Sequence, residues 1–231
     1  MKIGILETGR PPLGLRAAWG TYADMCRGLL GADRSFQTYD VQRGDLPTVA
    51  SECHAYIVTG SAAGVYEDRP WIPPLLEFLR QARGRAKLVG ICFGHQAMAQ
   101  AFGGEVIKSP KGWGLGLHRY AVVDPAAGLA GADFAIPAFH QDQVVSLPPN
   151  AQTVAATEFT PFAALAYGDE AISVQGHPEF STGFSAALIE AQRTLYGPHA
   201  APALESLRGE ADWSRVGTWM QRFVDKPSTG H

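Results

Sequence analysis

The stretch that decides the fold is Lys87-Leu88-Val89-Gly90-Ile91-Cys92-Phe93-Gly94-His95-Gln96. Its first five residues form an apolar run typical of a buried strand, and residues 97–102 continue a helical pattern that stops at two glycines. The sequence therefore predicts a strand, a sharp turn and a helix, with Cys92 at the turn. This is the spacing of the G-x-S-x-G nucleophile elbow, with sulfur in place of oxygen.

Glycines on either side of Cys92 relieve the crowding of a strained turn. A helix that begins there directs its free N–H groups and the positive end of its dipole at the sulfur, and both favour the thiolate. The thiolate is the form of cysteine that attacks a carbonyl carbon. The alternative interpretation of the segment is a buried structural cysteine on an ordinary strand-to-helix connection.

A cysteine nucleophile needs a base that a third group holds in place. The sequence offers one in Gly176-His177-Pro178-Glu179, just after the short apolar run 171–174. Pro178 favours an extended conformation at His177, and residues two apart in an extended segment point to the same side. His177 and Glu179 are therefore predicted to project together, so that the carboxylate orients the imidazole. A loop with a surface ion pair is the alternative.

Strands and helices alternate in the first part of the chain, which favours a parallel sheet covered on both faces. Strands are predicted at 2–7, 35–41, 55–59 and 87–91, and helices at 15–30, 71–82 and after the cysteine. Short β-like segments separated by Gly and Pro then predict an antiparallel section between 105 and 167. Helices are predicted again at 181–196 and 213–224. Because ligands bind at the carboxyl ends of parallel strands, Cys92 and His177 are expected to meet there.

Taken together, the motifs around Cys92 and His177 resemble the class I (triad) glutamine amidotransferase family, as a stand-alone member. The resemblance extends from the first strand to about Tyr196. It implies that Cys92 is the nucleophile, His177 the acid and base, and Glu179 the group that orients the imidazole. It also implies that Gln96 helps to bind the substrate.

The resemblance also implies where the substrate's amino-acid end is held and what fold carries the site. The family's backbone grips that end at the segment matched here by His140, Gln141 and Asp142. The expected fold is α/β, with a mostly parallel, flavodoxin-like central sheet, helices on both faces and a smaller antiparallel β section. We expect one domain over residues 1–231, with the helix at about 213–224 docked on it and 226–231 as a polar tail.

Acyl transfer builds negative charge on the former carbonyl oxygen, so backbone N–H groups must already point at it. The elbow geometry supplies one donor, the N–H of Phe93. The resemblance places the second donor at the turn Thr59-Gly60-Ser61, which follows an apolar strand. Gly60 and Ser61 both stay candidates, because the family commonly has paired glycines and a proline here and this chain departs from that pattern. A loose connecting loop is the alternative.

These residues predict a cysteine-dependent hydrolase of the side-chain amide of glutamine or a related γ-glutamyl compound. The reaction would pass through a γ-glutamyl thioester and release glutamate with ammonia or an amine, without a cofactor or metal. One alternative is an ammonia-donating subunit of a separate synthetase, although a free-standing enzyme like the γ-glutamyl peptidases is preferred. Alternatives of another class are a redox sensor that uses Cys92 and a binding module with a dead site.

Composition narrows the classes of partner. The net charge of −3 does not indicate a basic surface for nucleic acid. The sequence has no run of about 18 apolar residues, so no membrane span is predicted. There is no paired metal-binding motif of His or Cys. The three cysteines lack the spacing of a disulfide framework, and the first residues lack a signal-peptide pattern. We therefore expect a cytoplasmic protein with a small-molecule substrate.

Overall fold

The computed structural model describes residues 1–31 and 33–227, so residues 228–231 of the predicted tail lie outside the described residues. In this part of the chain nine strands form one sheet, and two more form a separate antiparallel pair, β5 (Glu105–Lys108) with β8 (Asp142–Ser146). The order across the main sheet is β2 (Ser35–Asp40), β1 (Lys2–Glu7), β3 (Ala55–Val58), β4 (Lys87–Ile91), β11 (Ala171–Val174), β10 (Ala164–Tyr167), β9 (Gln152–Ala156), β6 (Gly114–Val122) and β7 (Asp133–His140).

The predicted fold class is confirmed. The strands from β2 to β11 in this order run parallel, and those from β10 to β7 continue the same sheet in antiparallel fashion. The larger part of the antiparallel section thus extends the parallel sheet instead of forming a layer of its own. The helices are α1 (Leu13–Trp19), α2 (Tyr22–Leu30), α3 (Ile72–Ala82), α4 (Phe93–Ala101), α5 (Thr182–Ala191), α6 (Arg193–Tyr196), α7 (Ala200–Ser206) and α8 (Trp213–Asp225).

Burial on both faces explains why the central strands are continuous apolar runs. Successive strand residues point to opposite sides of a sheet. In β3, Tyr56 and Val58 join the core under α3 and α4, whereas Ala55 and Ile57 join the core under α2 and α8. The apolar stripe of α8 packs on this second face. No helix among the described residues is long and apolar enough to span a membrane.

Two predicted helices were too long. The helix expected over 15–30 is broken into α1 and α2, because Gly20 takes a positive φ of 75° and Thr21 begins a new helix. The Thr21 hydroxyl accepts a hydrogen bond from the Asp24 N–H at 3.2 Å, and the Asp24 carboxylate accepts one from the Thr21 N–H at 2.8 Å. The helix expected over 181–196 is likewise interrupted at Gln192, and α7 was not predicted.

Candidate active site

A strained turn presents the sulfur of Cys92 at the end of β4. Cys92 has a φ of 52° and a ψ of −103°, and α4 begins at the next residue. A positive φ costs energy in a residue with a side chain, and such strain is found at functional sites. A Cβ at Gly94 would collide with the Val58 carbonyl oxygen, so α4 can lie this close to β3 only with glycine there.

The sheet register brings His177 to the same edge. β11 runs parallel to β4 with Val174 opposite Ile91, and the Cys92 N–H donates to the Val174 carbonyl at 2.9 Å. The chain after β11 is then held by the His177 N–H, which donates to the Pro137 carbonyl at 2.7 Å. Two segments far apart in the sequence therefore leave adjacent strands side by side.

Glu179 and Phe180 hold the His177 imidazole in one orientation. Nδ1 of the ring lies 2.8 Å from Oε1 of Glu179. The two side chains are 4 % and 1 % exposed, so the predicted pair exists but is buried, unlike the alternative of a surface ion pair. The Phe180 ring is parallel to the imidazole within 10°, with 4.0 Å between their centroids. The imidazole is thus held by the Glu179 carboxylate at one nitrogen and by ring stacking on one face.

The charged neighbours of His177 determine its protonation. Burial opposes a positive charge on the ring and lowers its pKa, but the Glu179 carboxylate, which is hydrogen-bonded to the ring, and the Cys92 sulfur together outweigh burial. The net effect raises the pKa of His177 to about 10. An imidazolium beside a sulfur stabilises the thiolate, which is the reactive form. The site therefore keeps the imidazole protonated at neutral pH, in the same cleft as the sulfur.

The turn after β3 also reaches this edge of the sheet. The buried Thr8 hydroxyl donates to the Thr59 carbonyl at 2.8 Å and to the Gly60 carbonyl at 3.2 Å, which fixes the turn from behind. A Cβ on Gly60 would lie 3.0 Å from Cε1 of His177 and 3.8 Å from Cβ of Cys92. Glycine at this position lets the backbone approach both groups. The Ser61 hydroxyl instead accepts from the Ala63 N–H at 3.2 Å.

The other expected oxyanion donor belongs to Phe93. Phe93 is the first residue of α4, where N–H groups have no partner within the helix. Its side chain is fully buried against Trp71, with ring centroids 5.3 Å apart, and takes no part in the cleft.

The side chains of Gln96 and His140 both contact the backbone carbonyl of Asp142. Nε2 of Gln96 donates to the Asp142 carbonyl at 2.9 Å, and Nδ1 of His140 lies 3.2 Å from the same oxygen. Burial lowers the pKa of His140 to about 3, so the ring is neutral and Nδ1 donates. Two of the four predicted substrate-binding side chains therefore contact the protein's own backbone.

Gln141 and Asp142 form the rim of the cleft. The Gln141 carbonyl accepts from the Ser109 N–H at 3.1 Å. The Asp142 carboxylate accepts from the Tyr66 hydroxyl at 2.9 Å, and burial raises the pKa of this carboxyl group. Both acceptors thus already have a partner within the protein.

These groups surround one cleft of about 540 Å³. Cys92, His177, Gly60 and Ser61 line it, and Glu179 lies behind the imidazole. The four predicted substrate-binding residues line it too. No group of three His, Cys, Asp or Glu side chains placed to hold a metal ion is found within residues 1–31 and 33–227.

Part of the cleft lining was not predicted. The unpredicted lining residues include Arg10, Arg16, Tyr22, Trp113, Leu195 and Tyr196. The position of Arg10 just beyond the carboxyl end of β1 is a signal that could have drawn attention to that segment. No local pattern marks Trp113 or Tyr196, which reach the cleft through tertiary packing.

Comparison with known sequences identifies related proteins. The model of the family described as Glutamine amidotransferase class-I matches residues 30–192. A glutamine amidotransferase-like protein of Schizosaccharomyces pombe is 31 % identical over an alignment that covers 83 % of this chain and 84 % of that protein. Gamma-glutamyl peptidase 4 of Arabidopsis thaliana is 28 % identical over 80 % of this chain and 77 % of its own length.

Solved structures share the fold. A glutamine amidotransferase from Thermotoga maritima superimposes with a TM-score of 0.77 at 19 % identity, covering 98 % of this chain and 99 % of that one. One from Methylobacillus flagellatus gives a TM-score of 0.76 at 24 % identity, covering 96 % and 92 %. From the sequence matches, this chain belongs to the class-I glutamine amidotransferase family.

Proposed function

We propose that this chain is a cysteine-dependent hydrolase of γ-glutamyl amides, with Cys92, His177 and Glu179 as its reacting and orienting groups. The observation that carries the proposal is the convergence of a positive-φ cysteine and a buried His–Glu pair in one cleft. Family membership supports the same chemistry.

The reaction proceeds in two acyl-transfer steps. The Cys92 thiolate attacks the amide carbonyl, and collapse of the adduct breaks the carbon–nitrogen bond while His177 gives its proton to the leaving nitrogen. Water then attacks the thioester and loses a proton to His177, and the carbon–sulfur bond breaks to free glutamate. Glu179 holds the imidazole in place throughout by its contact with Nδ1.

The negative oxygen of each adduct is stabilised by backbone N–H groups. We assign the Phe93 N–H and, of the two candidates at the second turn, the Gly60 N–H. Gly60 is favoured because its backbone closely approaches both His177 and Cys92.

We assign the grip on the glutamyl end to the segment 140–142. Gln141 and Asp142 are proposed to contact the substrate. Gln96 and His140 are positioning residues, because Nε2 of Gln96 and Nδ1 of His140 both contact the Asp142 carbonyl. Substitution of Gln96 should therefore act through the placement of this segment.

We favour a free-standing hydrolase over an ammonia-donating subunit. The similarity to gamma-glutamyl peptidase 4 covers 80 % of this chain and 77 % of that protein. The similarity to GMP synthase of Thermosipho melanesiensis covers 59 % of this chain and only 26 % of that enzyme. A steady release of glutamate without any added partner supports the free-standing enzyme, and stimulation of a negligible rate by a synthetase supports the subunit.

A redox sensor built on Cys92 is the competing function of another class. Such a sensor needs an accessible thiolate but has no use for a buried carboxylate that orients the imidazole. Oxidation of Cys92 by peroxide, without hydrolysis of any γ-glutamyl amide, would favour the sensor.

One labelling experiment tests the proposal. The protein is incubated with a diazoketone analogue of glutamine, and the adduct is located by peptide mass spectrometry. We expect a single adduct on Cys92 that disappears in His177→Ala and is suppressed by excess glutamine. Labelling at another cysteine, or labelling that glutamine does not suppress, would reject the proposal.

A further inference from the structure

The cleft has two walls of different origin. One wall, formed by the turn 60–64, Tyr66 and the segment 140–142, lies within the residues that the family model matches. A second wall, which we call the α1 wall, is formed by residues 10–16 with Tyr22, Leu195 and Tyr196, all outside the matched range, and by Trp113, which lies inside it. Selectivity specific to this chain is expected on the α1 wall.

Arg16 brings an unneutralised positive charge to the α1 wall. Its Nε donates to the Pro11 carbonyl at 2.7 Å, and no carboxylate lies within 4.0 Å of its guanidinium among the described residues. Arg10, which also lines the cleft, differs in this respect because it pairs with Glu7 and Asp40 at 2.8 Å each. A free guanidinium is suited to recognise a carboxylate through two parallel hydrogen bonds.

The same wall presents apolar surface. The rings of Trp113 and Tyr196 meet edge to face with centroids 5.1 Å apart, and Leu195 beside them is 61 % exposed. Ammonia, which is released from glutamine, has no apolar surface to contact these residues and no carboxylate to pair with Arg16. An amine with an apolar side chain could cover them.

We propose that the α1 wall binds the leaving amine of a γ-glutamyl peptide, with its free carboxylate on Arg16 and its apolar side chain on Trp113, Leu195 and Tyr196. This inference rests on the proposed function and narrows its substrate class. In this arrangement the γ-glutamyl group lies at 140–142, the scissile amide lies at Cys92 and the amine extends toward α1. Arg16 is a specificity-determining residue in this arrangement.

The test compares kcat/KM for γ-glutamyl-leucine and γ-glutamyl-leucinamide, which differ only in the terminal carboxylate. The two leaving amines differ in basicity, so the ratio of the two values is compared between variants. We expect the wild-type ratio to favour the carboxylate, and Arg16→Gln to reduce that ratio about tenfold. Arg16→Lys should keep part of the preference, because it retains the charge without the planar fork.

Arg80→Gln is the matched control, because Arg80 is a half-exposed arginine that does not line the cleft. A structural disturbance in Arg16→Gln would lower both kcat/KM values together and leave the ratio unchanged. An unchanged ratio in Arg16→Gln, or equal use of the two substrates by the wild type, would overturn the inference while the hydrolase itself stands. Absence of any Cys92-dependent hydrolysis would reject both.

The contact with the apolar side chain is tested separately, by the KM of two substrates. γ-Glutamyl-leucine should be hydrolysed with a lower KM than γ-glutamyl-glycine, and Tyr196→Ala should narrow that difference. A wild-type KM for the glycine compound as low as that for the leucine compound would overturn this part.

Discussion

The floor of the cleft, which we define as His177 and Glu179, differs from the α1 wall in how firmly its side chains are held. The floor groups, His177 and Glu179, are buried and held by hydrogen bonds and ring stacking from adjacent strand ends. The wall consists of α1 with the loop before it, the end of α6 and Trp113. On this wall Arg16 is partly exposed and Leu195 is exposed, whereas Tyr196 is buried. Helix α1 is anchored to α5 by the ring contact between Trp19 and Phe184, with centroids 5.9 Å apart.

This difference separates chemistry from selectivity. Groups that move protons need fixed distances, which burial and backbone hydrogen bonding provide. Groups that select among amines need only present complementary surface. Substitutions on the floor should therefore change rate by large factors, and substitutions that affect the wall should change stability or substrate preference modestly.

The largest effect is expected at Cys92. Cys92→Ala should lower kcat/KM for glutamine by about 10⁴-fold or more, because the covalent step disappears. Glutamate release measures the rate, and thermal melting reports whether the fold persists. Cys53→Ala is the matched control, since Cys53 is buried next to Tyr39 and does not line the cleft. An equal loss in the two variants would mean that Cys92 acts through folding.

The second effect concerns the pH dependence of the rate. The raised pKa of His177 keeps the imidazolium, the proton donor, intact up to about pH 10, so activity should fall on the alkaline side near that value. Glu179→Gln removes a negative charge that raises this pKa. It should move the alkaline limb to lower pH and reduce kcat about 100-fold.

Glu190→Gln, an exposed carboxylate on α5, serves as the control. A rate loss in Glu179→Gln with an unmoved alkaline limb would contradict the orienting and electrostatic role of Glu179.

A third, smaller effect is expected from Gly60→Ala. The new methyl group would lie 3.0 Å from Cε1 of His177, so the imidazole must shift by a few tenths of an ångström. We expect kcat to fall about tenfold, because misplacement of a catalytic group is costly. Gly28→Ala is the control: Gly28 lies in α2 with open space around it, and alanine should stabilise the helix by about 0.5–1 kcal/mol. Full activity in Gly60→Ala would show that the turn and the imidazole do not need their present spacing.

The smallest effect is expected behind the wall. Thr21→Ala removes the cap of α2 and should lower the free energy of unfolding by about 1 kcal/mol, with little change in glutamine hydrolysis. Denaturant unfolding and the hydrolysis rate are measured on the same preparation. A rate loss as large as that of Gly60→Ala would mean that the chemistry depends on the α1–α2 connection.

Local patterns were sufficient for the central strands and for the meeting of Cys92 with His177. Each of these residues follows an apolar run, and strands buried on both faces are the elements that such runs predict best. Pairing of β10 with the far edge of β11 could not be predicted, because it is set by contacts between segments and not by either segment alone.

The break between α1 and α2 could have been predicted. Gly20 is a signal for the end of a helix. Thr21 with Asp24, three residues later, is the capping box that begins the next one. The apolar spacing of Ala18, Tyr22 and Met25 instead suggested one continuous helix. Arg16 carries no such signal, because its place in the cleft depends on how α1 packs.

The enclosure of the His177 ring has a consequence for the fate of the acyl group. Among the described contacts, Phe180 covers one face, Gly60 stands against Cε1 and Glu179 occupies Nδ1. In the proposed reaction Nε2 is then the nitrogen that exchanges protons, and water would reach it through the space that the first amine vacates. A second amine at high concentration would enter that same space and capture the proposed thioester. Under the proposed mechanism, γ-glutamyl transfer to another amine would therefore compete with hydrolysis.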